Sequence, residues 1–340
     1  MKQKIIFIVN PISGTTNKRS ILRQVDRLID RERFDYDIVE TKYAGHATEI
    51  ARTAANEGVD IVCAIGGDGT VNETARAIVH TRTALAIIPC GSGNGLARHL
   101  HIPLDAIRAI RLINETEPQP MDYGLINLHP FFCTCGVGFD AFISQKFAEA
   151  GKRGPATYVE NVLRSALSYS PETYELDVEN ENEEHVTYKA VLIACANASQ
   201  YGNNAYIAPQ ASVRDGLMDV TIVEPFNVLE VPQLAVMLFN GAIDESNRIR
   251  MFRCKHLVIH RSKPGVIHYD GDPIESGETV DVSIVPKGLL CICPTEEGVM
   301  EVGESARNAV VEYFNNMYQR SEDLLEKSPI RRRMKNIKKK

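Results

Sequence analysis

The feature that most constrains the fold is an apolar run at 61–65 that leads directly into Gly66-Gly67-Asp68-Gly69-Thr70. Five apolar residues in a row predict a strand buried on both faces, as in a parallel sheet. The glycines let the backbone turn sharply and leave its N–H groups uncovered. A helix predicted to start at Thr70 would direct its N-terminal dipole into the same turn between strand and helix. We call such a turn a corner. The sequence therefore predicts a phosphate site here.

Asp68 distinguishes this corner from a P-loop, because a P-loop has a lysine there and the chain contains no G-x-x-x-x-G-K-[ST] sequence. A carboxylate beside a phosphate site indicates a metal ligand or a base that takes a proton from an attacking hydroxyl. A structural alternative stays open. Thr70 and Glu73 have the spacing of a capping box, and the glycines can serve only to shape a turn.

The change from apolar strand to polar corner is repeated along the first 124 residues. Strands are predicted at 4–9, 36–41, 61–65 and 85–89, with helical spacing between them. This alternation predicts an N-terminal α/β domain with a doubly wound parallel sheet over 1–124. Polar corners follow the strands at 10–14, 41–46, 66–70 and 91–94. Because ligands bind at the carboxyl edge of such sheets, the corners indicate a nucleotide or another polyphosphate.

The second part of the chain, 125–287, alternates apolar and polar residues and predicts an antiparallel β-sandwich domain. One of its strands is predicted over 186–196. A strand at 289–293 is predicted to return to the first domain, which 288–326 would complete with a helix over 303–326. The last segment, 327–340, is basic and is predicted to be a disordered tail. A weak anchor to anionic lipid is the alternative for this tail.

Composition narrows the class of protein. The chain has 340 residues, enough for two domains, and its net charge of −6 argues against a general nucleic-acid binder. No apolar run reaches the roughly 18 residues of a membrane span, and residues 1–9 are interpreted as a strand, since they are too short for the apolar region of a signal peptide and lack a cleavage site. The eight cysteines include no C-x-x-C, which favours free thiols over zinc or disulfides. We expect a cytoplasmic protein that associates with membranes at most transiently.

Three motifs, in this order and spacing, resemble the diacylglycerol kinase catalytic domain family. They are Asn10-Pro-x-Ser-Gly14, Gly66-Gly-Asp-Gly-Thr70 with Asn72-Glu73, and Gly91-Ser-Gly-Asn94. Further matches are Gly136-Val-Gly-Phe-Asp140, the block from Tyr201 to Gly216, and Asp270-Gly271-Asp272. The family includes bacterial diacylglycerol kinases, sphingosine kinases and ceramide kinases. The resemblance implies an α/β nucleotide domain and a β-sandwich domain with the active site in the cleft between them.

ATP binding along the four corners is implied by this resemblance. The implied phosphate contacts are Asn10, Pro11, Ser13, Gly14, Thr41, His46, Gly66, Gly67, Asp68, Gly69, Thr70, Asn72 and Glu73. The implied nucleotide contacts of the last corner are Gly91, Ser92, Gly93 and Asn94. His46 is equally interpreted as a structural residue at a helix start.

Two magnesium sites are also implied by the resemblance. Asp68 and Asp122 would order the catalytic Mg²⁺. Asp215, with backbone oxygens near Ser212 and Leu217, matches a structural magnesium site of bacterial diacylglycerol kinases. The alternative for Asp215 is an ordinary Asp-Gly turn.

The implied catalytic residues are three carboxylates. Asp68 or Asp272 would accept the proton of the lipid hydroxyl. Asp140 matches the position at which sphingosine kinases recognise the polar head of a long-chain base. The alternative for Asp140 is a helix N-cap.

The chain departs from the family pattern at two positions. Gly95 stands where bacterial diacylglycerol kinases commonly have the aspartate that joins Asp68 and Asp122, and the Gly91–Ala97 motif is closer to sphingosine and ceramide kinases. Asp272 stands in place of the usual glutamate, with a side chain one methylene shorter. Positioning errors near 1 Å can cost about 100-fold in rate.

We therefore predict an ATP- and magnesium-dependent lipid kinase. Its acceptor would be a sphingoid base or ceramide-like lipid first and diacylglycerol or phosphatidylglycerol second. Its predicted partners are a membrane lipid and an anionic membrane surface, with no nucleic acid, and a homodimer is left open. The alternatives are an NAD kinase, which shares the Gly-Gly-Asp-Gly-Thr signature, and a non-catalytic lipid-binding or regulatory protein inactivated by the changes at Gly95 and Asp272.

Overall fold

The computed structural model describes residues 2–14, 17–150, 169–179, 183–227 and 229–294. The helix predicted over 303–326 and the basic segment 327–340 lie outside the described residues. Within them the predicted fold class is confirmed, because a sheet rich in parallel strands forms in the N-terminal part and an antiparallel sheet forms in the C-terminal part.

The N-terminal part alternates strands and helices as the sequence predicts. Its parallel strands lie in the order β2-β1-β3-β4, and every residue of β3 and β4 is buried. The buried faces explain the continuous apolar runs in these strands. The elements are β1 Gln3–Val9, α1 Lys18–Leu28, β2 Phe34–Glu40, α2 His46–Asn56, β3 Ile61–Gly66, α3 Asp68–Ile78, β4 Ala84–Pro89, α4 Gly95–His99 and α5 Ala106–Glu115.

The C-terminal part is mainly β-structure. Six of its strands form a separate antiparallel sheet in the order β12-β11-β10-β7-β14-β15. The elements are β5 Gln119–Ile126, β6 His129–Phe131, β7 Thr134–Gly138, α6 Phe139–Ala150, β8 Glu172–Glu179, β9 Glu183–Ala190, β10 Leu192–Ala196, β11 Met218–Val223, α7 Val231–Asn240, β12 Ile249–Cys254, β13 His256–Arg261, β14 Gly265–Tyr269, β15 Asp272–Ser276 and β16 Thr279–Cys291.

Strand β16 connects the two parts through one continuous sheet. Its last residues, Leu290 and Cys291, pair in parallel with Ala84 and Leu85 of β4, whereas its first half pairs antiparallel with β13. A register shift between Val285 and Leu289 accompanies this change. The first sheet therefore contains ten strands from both parts of the chain, a pairing that residue patterns do not encode.

The single strand predicted over 186–196 is wrong. The structure has two strands there, β9 and β10, which meet at Val191 and belong to different sheets. Apolar side chains of both sheets form one core, to which Tyr174 contributes from the first sheet and Ile193 from the second. The sequence remains apolar through this crossing because both strands have a face in that core.

Candidate active site

Three of the four glycine-bearing corners contact one another at the carboxyl edge of the parallel strands. Gly14 has φ +58°, and a Cβ atom there would lie 1.7 Å from the carbonyl oxygen of Cys90. A Cβ atom on Gly91 would lie 2.6 Å from Cα of Gly67. The amide of Asn10 donates to Oγ1 of Thr70 at 3.1 Å, which joins the first corner to the third. The close backbone contacts explain why these positions are glycines.

The remaining corner is joined to α3 by Glu73. The Glu73 carboxylate accepts hydrogen bonds from the backbone N–H groups of Gly45 and Ala47, at the start of α2. The capping box proposed for Thr70 and Glu73 is therefore wrong. Helix α3 also begins at Asp68, with Gly67 as its N-cap, two residues before the predicted start.

Two further residues at these corners contact the backbone beside them. His46 begins α2, accepts a hydrogen bond at Nδ1 from the Lys42 N–H, and stacks on Tyr43. Thr41 donates its N–H to the Val9 carbonyl, which fixes the end of β2 beside the end of β1. These contacts bring Thr41 and His46 to the strand edge that the sequence predicts, and nucleotide contact stays a prediction for both.

Asn94 closes the fourth corner on itself. Its backbone is left-handed, with φ 52°, and its amide accepts from the Gly91 N–H and donates to the Gly91 carbonyl. Ser92 at the tip of the corner is exposed, and Gly93 contacts Gly202 from the C-terminal part. Because both the oxygen and the nitrogen of the Asn94 amide are hydrogen-bonded to Gly91, we infer that this side chain fixes the shape of the loop.

Asp68 lies where the third and fourth corners meet. Its Oδ2 accepts from the Asn94 N–H at 2.9 Å, and its Oδ1 accepts from the Gly95 N–H at 2.6 Å. Burial raises the pKa of the Asp68 carboxyl, and the two hydrogen bonds and the charge of Arg98 oppose that shift. A carboxylate held in this way is oriented and is a better base than an exposed one.

The Asp68 side chain lines a cavity of about 290 Å³ that both parts of the chain enclose. The cavity combines three carboxylates with apolar side chains, so that it can receive a polar group and an apolar chain together. It is lined by Asp68, Val71, Asn72, Leu96, Phe132, Cys133, Thr134, Asp140, Ile143, Ser144, Tyr201, His268, Asp270 and Gly271.

Asp140 lines the cavity from the first turn of α6. Its Oδ2 lies 3.0 Å from Nε2 of His268 and accepts a hydrogen bond from the Tyr201 hydroxyl at 3.2 Å. Gly136 of β7 leaves room for this carboxylate, since a Cβ atom at Gly136 would lie 2.6 Å from Oδ2 of Asp140. Asp140 is the second residue of the helix, so the alternative interpretation as an N-cap is wrong.

Asp270 and Asp272 occupy different environments although one residue separates them. Asp272 is exposed and does not line the cavity. Asp270 does, and its carboxylate accepts four hydrogen bonds, from the amide of Asn72 and the backbone N–H groups of Phe132, Cys133 and Thr134. Burial raises the pKa of Asp270, and these bonds oppose the shift. Asp270 therefore connects α3 to the start of β7.

The two predicted ligands of the catalytic magnesium, Asp68 and Asp122, lie in different environments. Asp68 and Asn72 lie one turn apart on α3 and both line the cavity, and Oδ1 of Asn72 is buried without a hydrogen-bonding partner among the described residues. Carboxylate and amide oxygens are ligands that Mg²⁺ accepts. Asp122 is fully buried in β5, where its oxygens accept from the N–H groups of Gly216 and Lys287. These bonds give Asp122 a structural role, and its metal role stays a prediction.

The predicted structural magnesium site forms a turn. Oδ1 of Asp215 accepts from the Leu217 N–H, and the Ser212 hydroxyl accepts from the Arg214 N–H. Gly216 between them has φ +71°. No group of three or more His, Cys, Asp or Glu side chains in the described ranges is arranged to hold a metal ion. Magnesium at Ser212, Asp215 and Leu217 stays a prediction.

Sequence reasoning assigned no role to three residues of the site. His268 and Tyr201 reach Asp140 from a distant strand and a distant loop. Arg98 donates to the Gly93 carbonyl and to the Asn204 side chain, so that it links the fourth corner to the C-terminal part. Tyr201 lies in a block that resembles the family pattern, but the roles of all three residues depend on contacts between segments far apart in sequence.

These features define a two-domain protein in which an α/β domain with nucleotide-type corners and a β-sandwich domain share one cavity. Residues 4–126 match the model of the diacylglycerol kinase catalytic domain. Residues 133–293 match that of the YegS C-terminal NAD kinase beta sandwich-like domain. The chain belongs to the diacylglycerol kinase catalytic domain family, as its motifs predict.

Proteins named as diacylglycerol kinases or as YegS-like lipid kinases match most of this chain. A Chromohalobacter salexigens protein named "probable lipid kinase YegS-like" is 32% identical over 260 residues, which are 74% of this chain and 81% of that protein. The diacylglycerol kinase of Bacillus subtilis is 26% identical over 271 residues, 78% of this chain and 88% of the relative. The crystal structure of a diacylglycerol kinase from Bacillus anthracis has the same fold, with a TM-score of 0.67 at 21% identity, covering 86% of this chain and 97% of that one. Among the described residues, no helix is both long and apolar enough to span a membrane.

Proposed function

We propose that this protein is an ATP-dependent lipid kinase that phosphorylates a hydroxyl group of a membrane lipid. The observation that carries the proposal is the position of Asp68, which lies in a glycine corner of the α/β domain and lines a cavity enclosed by both domains. In a kinase of this kind, one carboxylate must lie next to both the phosphate of ATP and the hydroxyl group that accepts it. The names of the relatives support the same reaction class.

The nucleotide end of the site is the group of four corners. Glycine-rich turns with uncovered N–H groups and a helix N-terminus favour the phosphates of ATP. Gly69 is exposed at the start of α3, and a Cβ atom there would have no neighbour within 4 Å, so a phosphate has free access to this turn. If Mg²⁺ accompanies ATP, Asp68 and Oδ1 of Asn72 would hold it, and it would neutralise charge on the transferred phosphoryl group.

Asp68 orients and deprotonates the acceptor. The lipid hydroxyl oxygen forms a bond to the γ-phosphorus while the bond to the β,γ-bridging oxygen breaks, ADP leaves, and the hydroxyl proton passes to the Asp68 carboxylate. The hydrogen bonds from Asn94 and Gly95 hold the carboxylate in position for this transfer. The raised pKa of Asp68 makes it a stronger acceptor of the proton.

The lipid end of the site is the part of the cavity formed by Phe132, Leu96 and Ile143 together with Asp140. Apolar side chains suit an acyl or alkyl chain, and the polar group beside them suits a lipid head. We infer that the enzyme acts at the cytoplasmic face of a membrane, and that the basic segment 327–340 assists contact with anionic lipid.

The proposal is tested by incubating the full chain with labelled ATP, Mg²⁺ and a panel of lipids in mixed micelles. The panel contains diacylglycerol, a sphingoid base, ceramide and phosphatidylglycerol, and the products are separated by thin-layer chromatography. We expect at least one lipid to be phosphorylated by the wild type and none by Asp68→Asn. Formation of NADP from NAD would identify an NAD kinase instead. Binding of ATP and lipid without turnover of any panel member would contradict the proposal.

A further inference from the structure

His268 is a buried imidazole in the wall of the cavity. The residue lies on β14 opposite Gly136 of β7, is 1% exposed, and lines the cavity. Its Nε2 lies 3.0 Å from Oδ2 of Asp140. Its Nδ1 is buried and, in the part of the chain that the structure describes, has no hydrogen-bonding partner.

The contacts of Asp140 determine which nitrogen of His268 carries hydrogen. Oδ2 of Asp140 accepts from the Tyr201 hydroxyl, and Oδ1 accepts from the Ala141 N–H. The carboxylate therefore acts as an acceptor, and Nε2 of His268 is the donor to it. In a neutral imidazole the other nitrogen is then an acceptor, so Nδ1 presents a lone pair.

An unpaired buried acceptor in a native protein requires an explanation, because leaving it without a donor is costly. We propose that Nδ1 of His268 accepts a hydrogen bond from a second hydroxyl or N–H group of the lipid head, adjacent to the hydroxyl that receives the phosphoryl group. This inference rests on the proposed function. The substrate class is then a lipid with two head-group donors, such as a long-chain amino alcohol or a monoacylglycerol. A diacylglycerol, with one free hydroxyl, leaves Nδ1 unpaired.

The test uses two lipids that differ in one donor, because a methyl group replaces the hydrogen of the second hydroxyl. They are 1-acylglycerol and 1-acyl-2-O-methylglycerol, which keep the same primary hydroxyl and acyl chain, presented to the full chain in the same micelles. We expect the wild type to favour the first by about tenfold in kcat/KM, the size expected for one buried hydrogen bond. Because the amide nitrogen of glutamine can take the place of Nε2, His268→Gln retains a donor to Asp140 and loses the Nδ1 acceptor. In His268→Gln we expect the ratio of kcat/KM values to fall to about one.

Tyr201→Phe is the matched control, since it removes the other side-chain donor to Asp140 and leaves Nδ1 in place. We expect this variant to keep the tenfold ratio. Equal kcat/KM for the two lipids in the wild type, or an unchanged ratio in His268→Gln, would overturn the inference.

Binding separates this inference from the proposed function. Dissociation constants of the same two lipids are measured by isothermal titration calorimetry on the wild type and on His268→Gln. If no lipid is phosphorylated but the wild type binds 1-acylglycerol about tenfold more tightly and His268→Gln does not, the kinase assignment fails and the His268 assignment stands. If neither turnover nor binding distinguishes the two lipids, the His268 assignment fails.

Discussion

The backbone nitrogen of Gly95 lies 2.6 Å from Oδ1 of Asp68 and donates a hydrogen bond to it. The family pattern that the motifs resemble has an aspartate where this chain has Gly95. Here the first residue of α4 contributes its N–H group to Asp68 and has no side chain. A Cβ atom on Gly95 would lie 3.3 Å from the Tyr201 carbonyl oxygen and 3.4 Å from Sγ of Cys133. The chain therefore stabilises the Asp68 carboxylate with backbone donors and packs another segment against Gly95.

Gly95→Asp is expected to destabilise the protein and to lower its activity. The added carboxylate would be buried against carbonyl oxygens and beside Asp68, so overpacking and like-charge repulsion act together, at about 2–3 kcal/mol in the free energy of unfolding. Urea unfolding measures this change, and Gly95→Ala separates the steric part from the charge. Wild-type stability together with higher Mg²⁺-dependent activity in Gly95→Asp would show that the space beside Asp68 admits another carboxylate.

Asp68→Asn is expected to lower kcat by at least about 100-fold, because the amide cannot accept the hydroxyl proton. The KM for ATP should rise by a smaller factor than kcat falls, since the glycine turns remain, although Asp68 itself lies in one of them and accepts hydrogen bonds from Asn94 and Gly95. Steady-state kinetics with saturating lipid measure both constants. Asp272→Asn, which alters an exposed carboxylate outside the cavity, is expected to cost about tenfold or less. The reverse order of the two effects would assign the base to Asp272.

Asp270→Asn is expected to lower the free energy of unfolding by about 3 kcal/mol. The Asp270 carboxylate accepts four hydrogen bonds, and an amide in its place would direct N–H hydrogens at buried donors such as the backbone of Cys133. Asp272→Asn is the control and should change stability by less than about 0.5 kcal/mol. Guanidinium unfolding measures both. Equal stability of the two variants would show that the contacts of Asp270 contribute little.

The ion pair between Asp177 and His185 should contribute less to stability at pH 8 than at pH 6. The Asp177 carboxylate bonds His185 at 2.6 Å and His260 at 2.7 Å on the exposed face of the first sheet. The hydrogen bond to Asp177 raises the pKa of His185, and the bond from His185 lowers the pKa of Asp177. A raised histidine pKa stabilises the fold below about pH 6.5, the unfolded value, and that contribution is lost as pH rises through the folded value.

The measurement for this pH prediction is the unfolding free energy of wild type and Asp177→Asn at pH 6 and at pH 8. The stability advantage of the wild type over Asp177→Asn should be smaller at pH 8 than at pH 6. The Asp177 contribution itself is present above about pH 4 and is lost as pH falls through its lowered folded pKa, so the stability advantage of the wild type over Asp177→Asn should also shrink in acid. Asp37→Asn, an exposed strand aspartate, is the control with the same charge change. An identical pH profile for Asp177→Asn and wild type would contradict the prediction.

Local patterns in the sequence predicted much of the architecture. Apolar runs such as 61–65 became fully buried parallel strands, and the glycine corners after them met at one sheet edge, because strand burial and turn geometry depend on neighbours a few residues away. The alternating pattern likewise gave the antiparallel sheet of the second half. Helix boundaries were less accurate. Helix α3 begins at Asp68, since the Thr70 side chain bonds Asn10 and does not cap the helix.

The sequence by itself determined the fold class, the family, and the place of Asp68 in a glycine corner beside a helix. Only the tertiary structure decided that Asp270 and not Asp272 lines the cavity, that Asp140 pairs with His268, and that β16 joins both halves in one sheet. The physical reason is the range of the interactions. Turns, strands and helix starts are set by residues adjacent in sequence, whereas a cavity is formed by side chains from segments that meet only after the chain has folded.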